Sequence, residues 1–224
     1  MKLWDKEIST EQAILAFTTG KDPVYDLELA PFDILGSMAH TIMLAETGLI
    51  RKEEAHRLLA TLNNLYQEAA EGKLKMDRGV EDIHTQVEMI LTASLGDMGK
   101  KIHTGRSRND QVMVDIKLFL REEIGEVADM ILKLAKALLS QADTHKQVFM
   151  PGYTHMQVAM PSSFGLWFGA YAEALADDLT YLQGIYAVVN QNPLGSAAGF
   201  GSSFPVDREL TTRLLAFDQL HISS

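Results

Sequence analysis

Apolar residues recur at spacings of three and four along most of the chain, which is the pattern of helices with one buried face. The pattern predicts short helices over residues 34–48, 52–71 and 81–95, with Asp33 as the N-cap of the first. A fourth apolar stripe runs from Val112 to Leu138 without a proline, and at 1.5 Å per residue it extends roughly 40 Å. Pro161 fits the first turn of another long helix that ends before Asn192.

This order of elements predicts an all-α fold, because strand alternation is not evident in the sequence. Short helices fill a predicted N-terminal domain, residues 1–105, and long helices fill residues 106–224 as the first part of a central bundle. The connection over residues 146–159 would make the two long helices antiparallel. Small residues such as Gly165 and Gly169 would let helices approach closely, either between subunits or within one chain.

Composition and charge narrow the class of protein. With 46% hydrophobic and 22% charged residues among 224, the chain can bury a sizeable core. The absence of cysteine excludes disulfides and thiolate metal ligands, and the N-terminus lacks the apolar segment of a secretory signal, so a cytoplasmic protein is expected. A net charge of −10 argues against binding to nucleic acid or to an anionic membrane, and no segment has the length and apolarity of a membrane span.

The segment from Lys100 to Arg108 is basic in this acidic chain, since it holds four cations and no carboxylate. Its end supplies hydroxyl, guanidinium and amide donors in Ser107, Arg108 and Asn109, just where the long apolar stripe begins. Donors beside a helix N-terminus favour a small dicarboxylate ligand. The alternative is a solvated basic patch in which Asn109 or Asp110 only caps the helix.

A second polar segment, PGYTHMQ at residues 151–157, lies in the connection between the long helices. Thr154, His155 and Gln157 stand there among apolar neighbours. A positioned histidine transfers protons near neutral pH, although a lone histidine in a loop is commonly a structural surface residue.

A third segment, EDIHTQVE at residues 81–88, places His84 and Glu88 one helical turn apart, which indicates a structural histidine–carboxylate pair. It does not supply enough ligands to predict a metal site. The glycines over residues 192–206 lack the lysine of a phosphate-binding loop, and we interpret them as tight turns.

The segments GRSRNDQV, PGYTHMQ and NPLGSAAG, in this order, resemble the argininosuccinate lyase family of the fumarase/aspartase superfamily. The resemblance extends from Leu3-Trp4 to the C-terminal segment of the sequence. It implies a fumarase/aspartase-like helical bundle, a homotetramer with sites shared between subunits, and elimination of argininosuccinate to L-arginine and fumarate in arginine biosynthesis. The reaction that the resemblance implies requires neither a metal nor an organic cofactor.

The resemblance also implies roles for single residues. His155 would be catalytic, and substrate would be bound by a set of six residues, Ser107, Arg108, Asn109, Thr154, Gln157 and His84. Ser196 would be a minor contact. Asn109 and His155 would meet across a subunit interface.

Two departures from the family pattern affect this expectation. Asp22 stands where many members have a substrate-binding serine, four residues before Asp26. The family's GSSxMPxKxN loop, with a catalytic serine, does not occur in these 224 residues, so we expect a fold truncated at the C-terminus and a chain that is inactive alone. The alternatives are another superfamily lyase, acting on adenylosuccinate, fumarate or aspartate, and a noncatalytic helical protein.

Overall fold

The computed structural model describes residues 14, 17, 20–77 and 79–223, so the Leu3-Trp4 motif lies outside the described part. The fold is all-α, as the sequence predicts, and it also contains two small sheets that the sequence did not predict. Its helices are α1 (Asp22–Glu46), α2 (Lys52–Ala70), α3 (Ile83–Leu95), α4 (Asp97–Lys100), α5 (Arg108–Thr144), α6 (Phe164–Val189) and α7 (Arg208–Leu214). The strands are β1 (Phe149–Thr154), β2 (Gln157–Ser163), β3 (Gln191–Asn192) and β4 (Gln219–Leu220), and a 3₁₀ turn covers Lys101–His103.

Two compact units make up the chain, Met1–Phe119 with Asn190–Ser224, and Leu120–Val189. In the first unit the apolar faces of α1, α2 and α3 form one core, with Ile34, Leu58 and Leu91 fully buried. A smaller cluster joins Val114 and Leu118 of α5 to residues of the C-terminal segment, among them Leu194 and Phe217. The predicted boundary at residue 105 stays a prediction.

The first helix begins twelve residues earlier than the sequence pattern indicates, at Asp22 rather than at residue 34, with Pro23 in its first turn. The prediction that Asp33 is an N-cap is therefore wrong, because Asp33 lies inside α1 and is fully buried. Pro31 interrupts the backbone hydrogen bonds of α1, but burial of Ala30 and Ile34 on either side keeps the chain helical.

The connection between α5 and α6 is a β-hairpin rather than a loop. Strands β1 and β2 pair antiparallel from Phe149 with Ser163 to Thr154 with Gln157. The prediction that Pro161 begins a helix is wrong, since Pro161 pairs with Pro151 across the hairpin and α6 starts at Phe164. Proline is tolerated in this position because a two-stranded sheet consists of edge strands only.

The second unit combines this hairpin with α6 and the C-terminal part of α5. A Cβ on Gly165 would lie 2.7 Å from Cα of Lys146, so the glycine permits a close approach within one chain. No such neighbour surrounds Gly169. Among the described residues, no helix is both long and apolar enough to cross a membrane.

Candidate active site

The N-terminus of α5 is capped by its own sequence, Ser107-Arg108-Asn109-Asp110. Oγ of Ser107 accepts from the backbone N–H of Asn109 at 3.3 Å, and Oδ1 of Asp110 accepts from the N–H of Ser107 at 2.9 Å. These two hydrogen bonds cap the start of the helix, and the side chain of Asn109 is exposed in its first turn.

Asp110 also joins this helix start to a distant loop. Its Oδ2 accepts backbone N–H groups from Gly195 at 2.7 Å and Ala197 at 3.0 Å. Burial raises the pKa of Asp110 despite its backbone donors. The positive φ angles of Gly195, Gly199 and Gly201 agree with our interpretation of this loop as tight turns. Ser196 is 1% exposed, so the structure does not support it as a surface contact for a ligand.

The four cations of the basic segment have partners within the chain. Lys100 pairs with Asp97 at 2.8 Å and Lys101 with Glu54 at 2.7 Å. The charges of these two lysines are thereby balanced locally, and the predicted anion site at this segment stays a prediction.

The two arginines of the segment also donate hydrogen bonds to groups within the chain. Nη1 of Arg108 donates to both oxygens of Asp82, the N-cap of α3, and its Nη2 donates to Oγ1 of Thr85 at 3.0 Å. Arg106 is buried and donates to Oγ of Ser37 at 3.1 Å, and burial lowers its pKa.

His84 lies in the first turn of α3, and its partner is Asp33 rather than Glu88. Nδ1 of His84 is 2.7 Å from Oδ1 of Asp33, which also accepts from Nε2 of Gln111 at 2.6 Å. Asp115 brings a second carboxylate to within 3.6 Å of the same ring nitrogen. The predicted pairing with Glu88 is wrong because His84 points into the space between α1 and α5.

Asp33, His84 and Asp115 are buried, and one ligand atom from each lies within 4.8 Å of the others, which meets the spacing of a metal site. The donors already present do not favour a cation. Gln111 donates to the Asp33 carboxylate, and Arg106 lies close enough for its charge to lower the pKa of Asp33. We therefore interpret the group as an internally paired cluster.

The GYTH segment forms the tip of the β-hairpin. Thr154 pairs with Gln157, and the two residues between them, His155 and Met156, have φ angles of 50° and 60°. Positive φ at both central positions is a type I′ turn, which matches strand twist but is strained for most residues other than glycine, asparagine and aspartate. Thr154, His155 and Gln157 are all exposed, so the turn presents its polar side chains outward.

The structure thus brings Ser107, Arg108, Asn109 and His84 together in the first unit and Thr154, His155 and Gln157 together in the second. Sequence reasoning missed Asp33 and Asp115 as the carboxylates beside His84, and Gln111 as a donor to Asp33. The available signal was a carboxylate inside an apolar run, as in Val114-Asp115-Ile116, because an ionisable residue on a buried face needs a polar partner.

The chain is similar to several proteins that are described as lyases. The family model described as Lyase matches residues 6–223. The argininosuccinate lyase of Phocaeicola vulgatus is 58% identical over 98% of this chain and 49% of its own length, and that of Parabacteroides distasonis is 57% identical with the same coverage. A solved EDDS lyase variant with bound fumarate is 27% identical, with a TM-score of 0.79 over 97% of this chain and 43% of that chain. The chain spans about half the length of the curated relatives it matches.

Proposed function

The chain belongs to the lyase family, and from that premise we propose that the protein splits argininosuccinate reversibly into L-arginine and fumarate. The observation that carries the proposal is the 58% identity to a curated argininosuccinate lyase over 98% of the chain. The EDDS lyase variant with bound fumarate, which shares the fold, supports the same product class. The pathway served would be arginine biosynthesis in the cytoplasm.

The reaction requires a base that removes a proton from Cβ beside a carboxylate while the guanidino nitrogen leaves. We assign a proton-transfer role to His155, because the type I′ turn exposes its imidazole at the hairpin tip. The second proton-transfer group would be the serine of the family's GSSxMPxKxN loop. Neither a metal nor an organic cofactor takes part.

Charge that develops on the substrate carboxylate needs fixed donors. We assign this task to Ser107 and Asn109 at the start of α5 and to Thr154 and Gln157 at the hairpin tip. The α5 N-terminus is suited to an anion because its first N–H groups point outward along the helix axis.

Arg108 and His84 would contribute differently from these neutral donors. The Arg108 guanidinium donates to Asp82 and to Thr85, and these bonds would fix its position beside the substrate. His84 would present Nε2, since its Nδ1 faces Asp33. Asp22 is the first residue of α1. In the proposed site its carboxylate would stand where many family members have a serine that contacts the substrate.

A homotetramer is part of the proposal, with His155 and Asn109 contributed by different subunits to one site. The second unit exposes many large apolar side chains, which in water favours association. Those on α5 and α6 include Met130, Leu134, Leu139, Leu166 and Tyr181. The partner that would match this apolar surface is the same pair of long helices in another subunit.

The test uses the protein at its full natural length, supplied with argininosuccinate while fumarate absorbance is recorded. Growth of the fumarate signal supports the proposal. Turnover of adenylosuccinate or aspartate, but not of argininosuccinate, would assign the protein to another reaction of the superfamily. No turnover of any of these substrates would favour a noncatalytic helical protein.

A further inference from the structure

A buried chain of hydrogen bonds runs from His84 of α3 through Asp33 of α1 to Gln111 of α5. Asp33 projects from the middle of α1 and Gln111 from the first turns of α5, and both are buried. Oδ1 of Asp33 lies 2.7 Å from Nδ1 of His84 and 2.6 Å from Nε2 of Gln111. The His84 side chain keeps only 7% of its surface exposed, so its ring has little freedom to turn.

The ionisation of Asp33 decides which nitrogen of His84 carries a proton. Burial by itself would raise the pKa of Asp33, but the charge and hydrogen bond of His84, with the charge of Arg106, bring it below its ordinary value. An ionised carboxylate only accepts hydrogen bonds. Nδ1 of His84 must therefore be the donor, which leaves Nε2 directed away from the cluster.

Asp115 lies near Asp33, and its pKa is shifted in the opposite direction from that of Asp33. Burial, reinforced by the nearby charge of Asp33, raises its pKa well above the ordinary value. Within the described part of the chain, its two carboxylate oxygens and Oδ2 of Asp33 meet no conventional donor. A proton on Asp115, donated to Asp33, satisfies atoms that would otherwise be buried and unpaired.

We propose that Asp33 is a positioning residue that fixes the His84 ring with Nδ1–H inward and Nε2 toward the substrate. The proposal rests on the proposed function, since it assigns His84 to the substrate site. Asp33 touches neither the substrate nor the reacting atoms. It acts by keeping a proton on Nδ1 and by fixing one orientation of the ring, as carboxylates behind functional histidines do in other proteins.

The first experiment examines the unaltered protein at its full natural length, labelled with ¹⁵N on histidine. Nitrogen chemical shifts distinguish a protonated from an unprotonated ring nitrogen, and His84→Gln identifies the signals of His84 by their disappearance. We expect a protonated Nδ1 at neutral pH. An unprotonated Nδ1 would overturn the proposal whatever the activity of the protein.

The second experiment compares Asp33→Leu with Asp115→Leu, the same change at two buried positions of one cluster. Asp33→Leu removes the acceptor of Nδ1–H, so we expect loss of the Nδ1–H signal and a fall in kcat of about 100-fold with a smaller change in KM. Asp115→Leu leaves that acceptor in place, and we expect the signal to remain and kcat to fall less than about fivefold.

Asp33→Asn supplies the conservative rescue, because an amide oxygen still accepts from Nδ1–H. It should keep the Nδ1–H signal and restore kcat to within about tenfold of the unaltered protein. Equal losses of kcat in Asp33→Leu and Asp115→Leu, with the Nδ1–H signal unchanged, would contradict the proposal. Should Asp33→Leu not fold, the unaltered protein and Asp33→Asn still decide the question. A protein that never splits argininosuccinate would refute the proposed function, while the nitrogen shifts would still test the role of Asp33.

Discussion

Nδ1 of His84 lies 2.7 Å from Oδ1 of Asp33, although 51 positions separate the two residues in the sequence. This contact connects α3 to α1, and Gln111 extends it to α5. One buried carboxylate thereby fixes three helices around a histidine that we assign to the substrate site. The fold and the site share this cluster, so its effects on stability and on turnover need separate measurements.

His155 should affect catalysis much more than folding. Its side chain is exposed at the hairpin tip, so His155→Asn removes few contacts, while asparagine tolerates the positive φ of this position. We expect kcat to fall about 100- to 10,000-fold, as for a lost proton-transfer group, with a change in unfolding free energy below about 0.5 kcal/mol. Steady-state kinetics and urea unfolding check both values. Equal losses in kcat and in stability would return His155 to a structural role.

Acid should weaken the protein through His40, a buried histidine whose Nε2 contacts the carbonyl oxygen of Thr104 at 2.9 Å. Burial, with the charge of Arg106, lowers its pKa from 6.5 to about 3. The unfolded chain takes up a proton near pH 6.5 and the folded chain does not, so this contribution to stability is complete above that pH and declines as the pH falls toward 3. Between pH 7.5 and pH 5 the loss should be about 2 kcal/mol.

Urea unfolding at several pH values tests this dependence on His40. His40→Gln removes the titrating group and should flatten the pH dependence over that interval. His56→Gln, at an exposed histidine of α2, should leave the dependence as it is. An unchanged slope in His40→Gln would show that other groups cause the acid sensitivity.

Asp110 should be essential for stability, because its carboxylate accepts three backbone N–H groups from Ser107, Gly195 and Ala197. Asp110→Ala leaves these donors without that acceptor, and we expect a loss of about 3 kcal/mol in unfolding free energy. Asp143→Ala, which removes an exposed ion pair with Lys146, should cost less than about 1 kcal/mol. Similar costs at both positions would contradict our account of Asp110.

The strain of the hairpin tip should be measurable at Met156, which is 98% exposed and has a φ of 60°. Glycine adopts this conformation without steric cost, so Met156→Gly should raise the unfolding free energy by about 0.5–1 kcal/mol. Met160→Gly, at an exposed strand position of the same hairpin, should lower it by about the same amount. A loss of stability in Met156→Gly would show that the turn carries no relievable strain.

The proposed assembly can be tested by placing charge on the apolar surface of the second unit. Leu134 is 53% exposed on α5, and Leu134→Glu should dissociate the assembly while the helical content of the subunit is kept. Sedimentation and circular dichroism measure the two properties. Arg57→Glu, an exposed charge change on α2, should leave the assembly intact. Persistence of the same oligomer in Leu134→Glu would place the interface elsewhere.

The sequence pattern predicted the helices well where one face is apolar and local signals mark the ends. The helix α2 ends at Ala70, beside the predicted stop at Gly72, and α3 ends at Leu95 as predicted. The start of α1 was missed because Asp33 was interpreted as its N-cap, although the helix continues on both sides of Pro31. Tertiary burial on both sides of that proline overrides the local preference, and this information is absent from a short segment.

The hairpin and the partner of His84 were missed for related reasons. The short strands β1 and β2 contain two prolines and a glycine, which obscure the alternation typical of strands. The pairing of His84 with Asp33 depends on how α1 and α3 pack, while the visible neighbour Glu88 satisfies only helical spacing. Motifs identified residues with chemical potential, but contacts between distant helices decide where each side chain points.

The ion pairs of Lys100, Lys101 and Arg108 near the start of α5 have a consequence for the way in which a ligand reaches this region. Opposite charges that lie within hydrogen-bonding distance cancel each other beyond a few ångströms. In a protein with a net charge of −10, these three cations therefore add little attractive field that could speed the diffusion of an anion from a distance. Selectivity would arise at close range, after encounter, from the fit of neutral hydrogen-bond donors around the bound molecule.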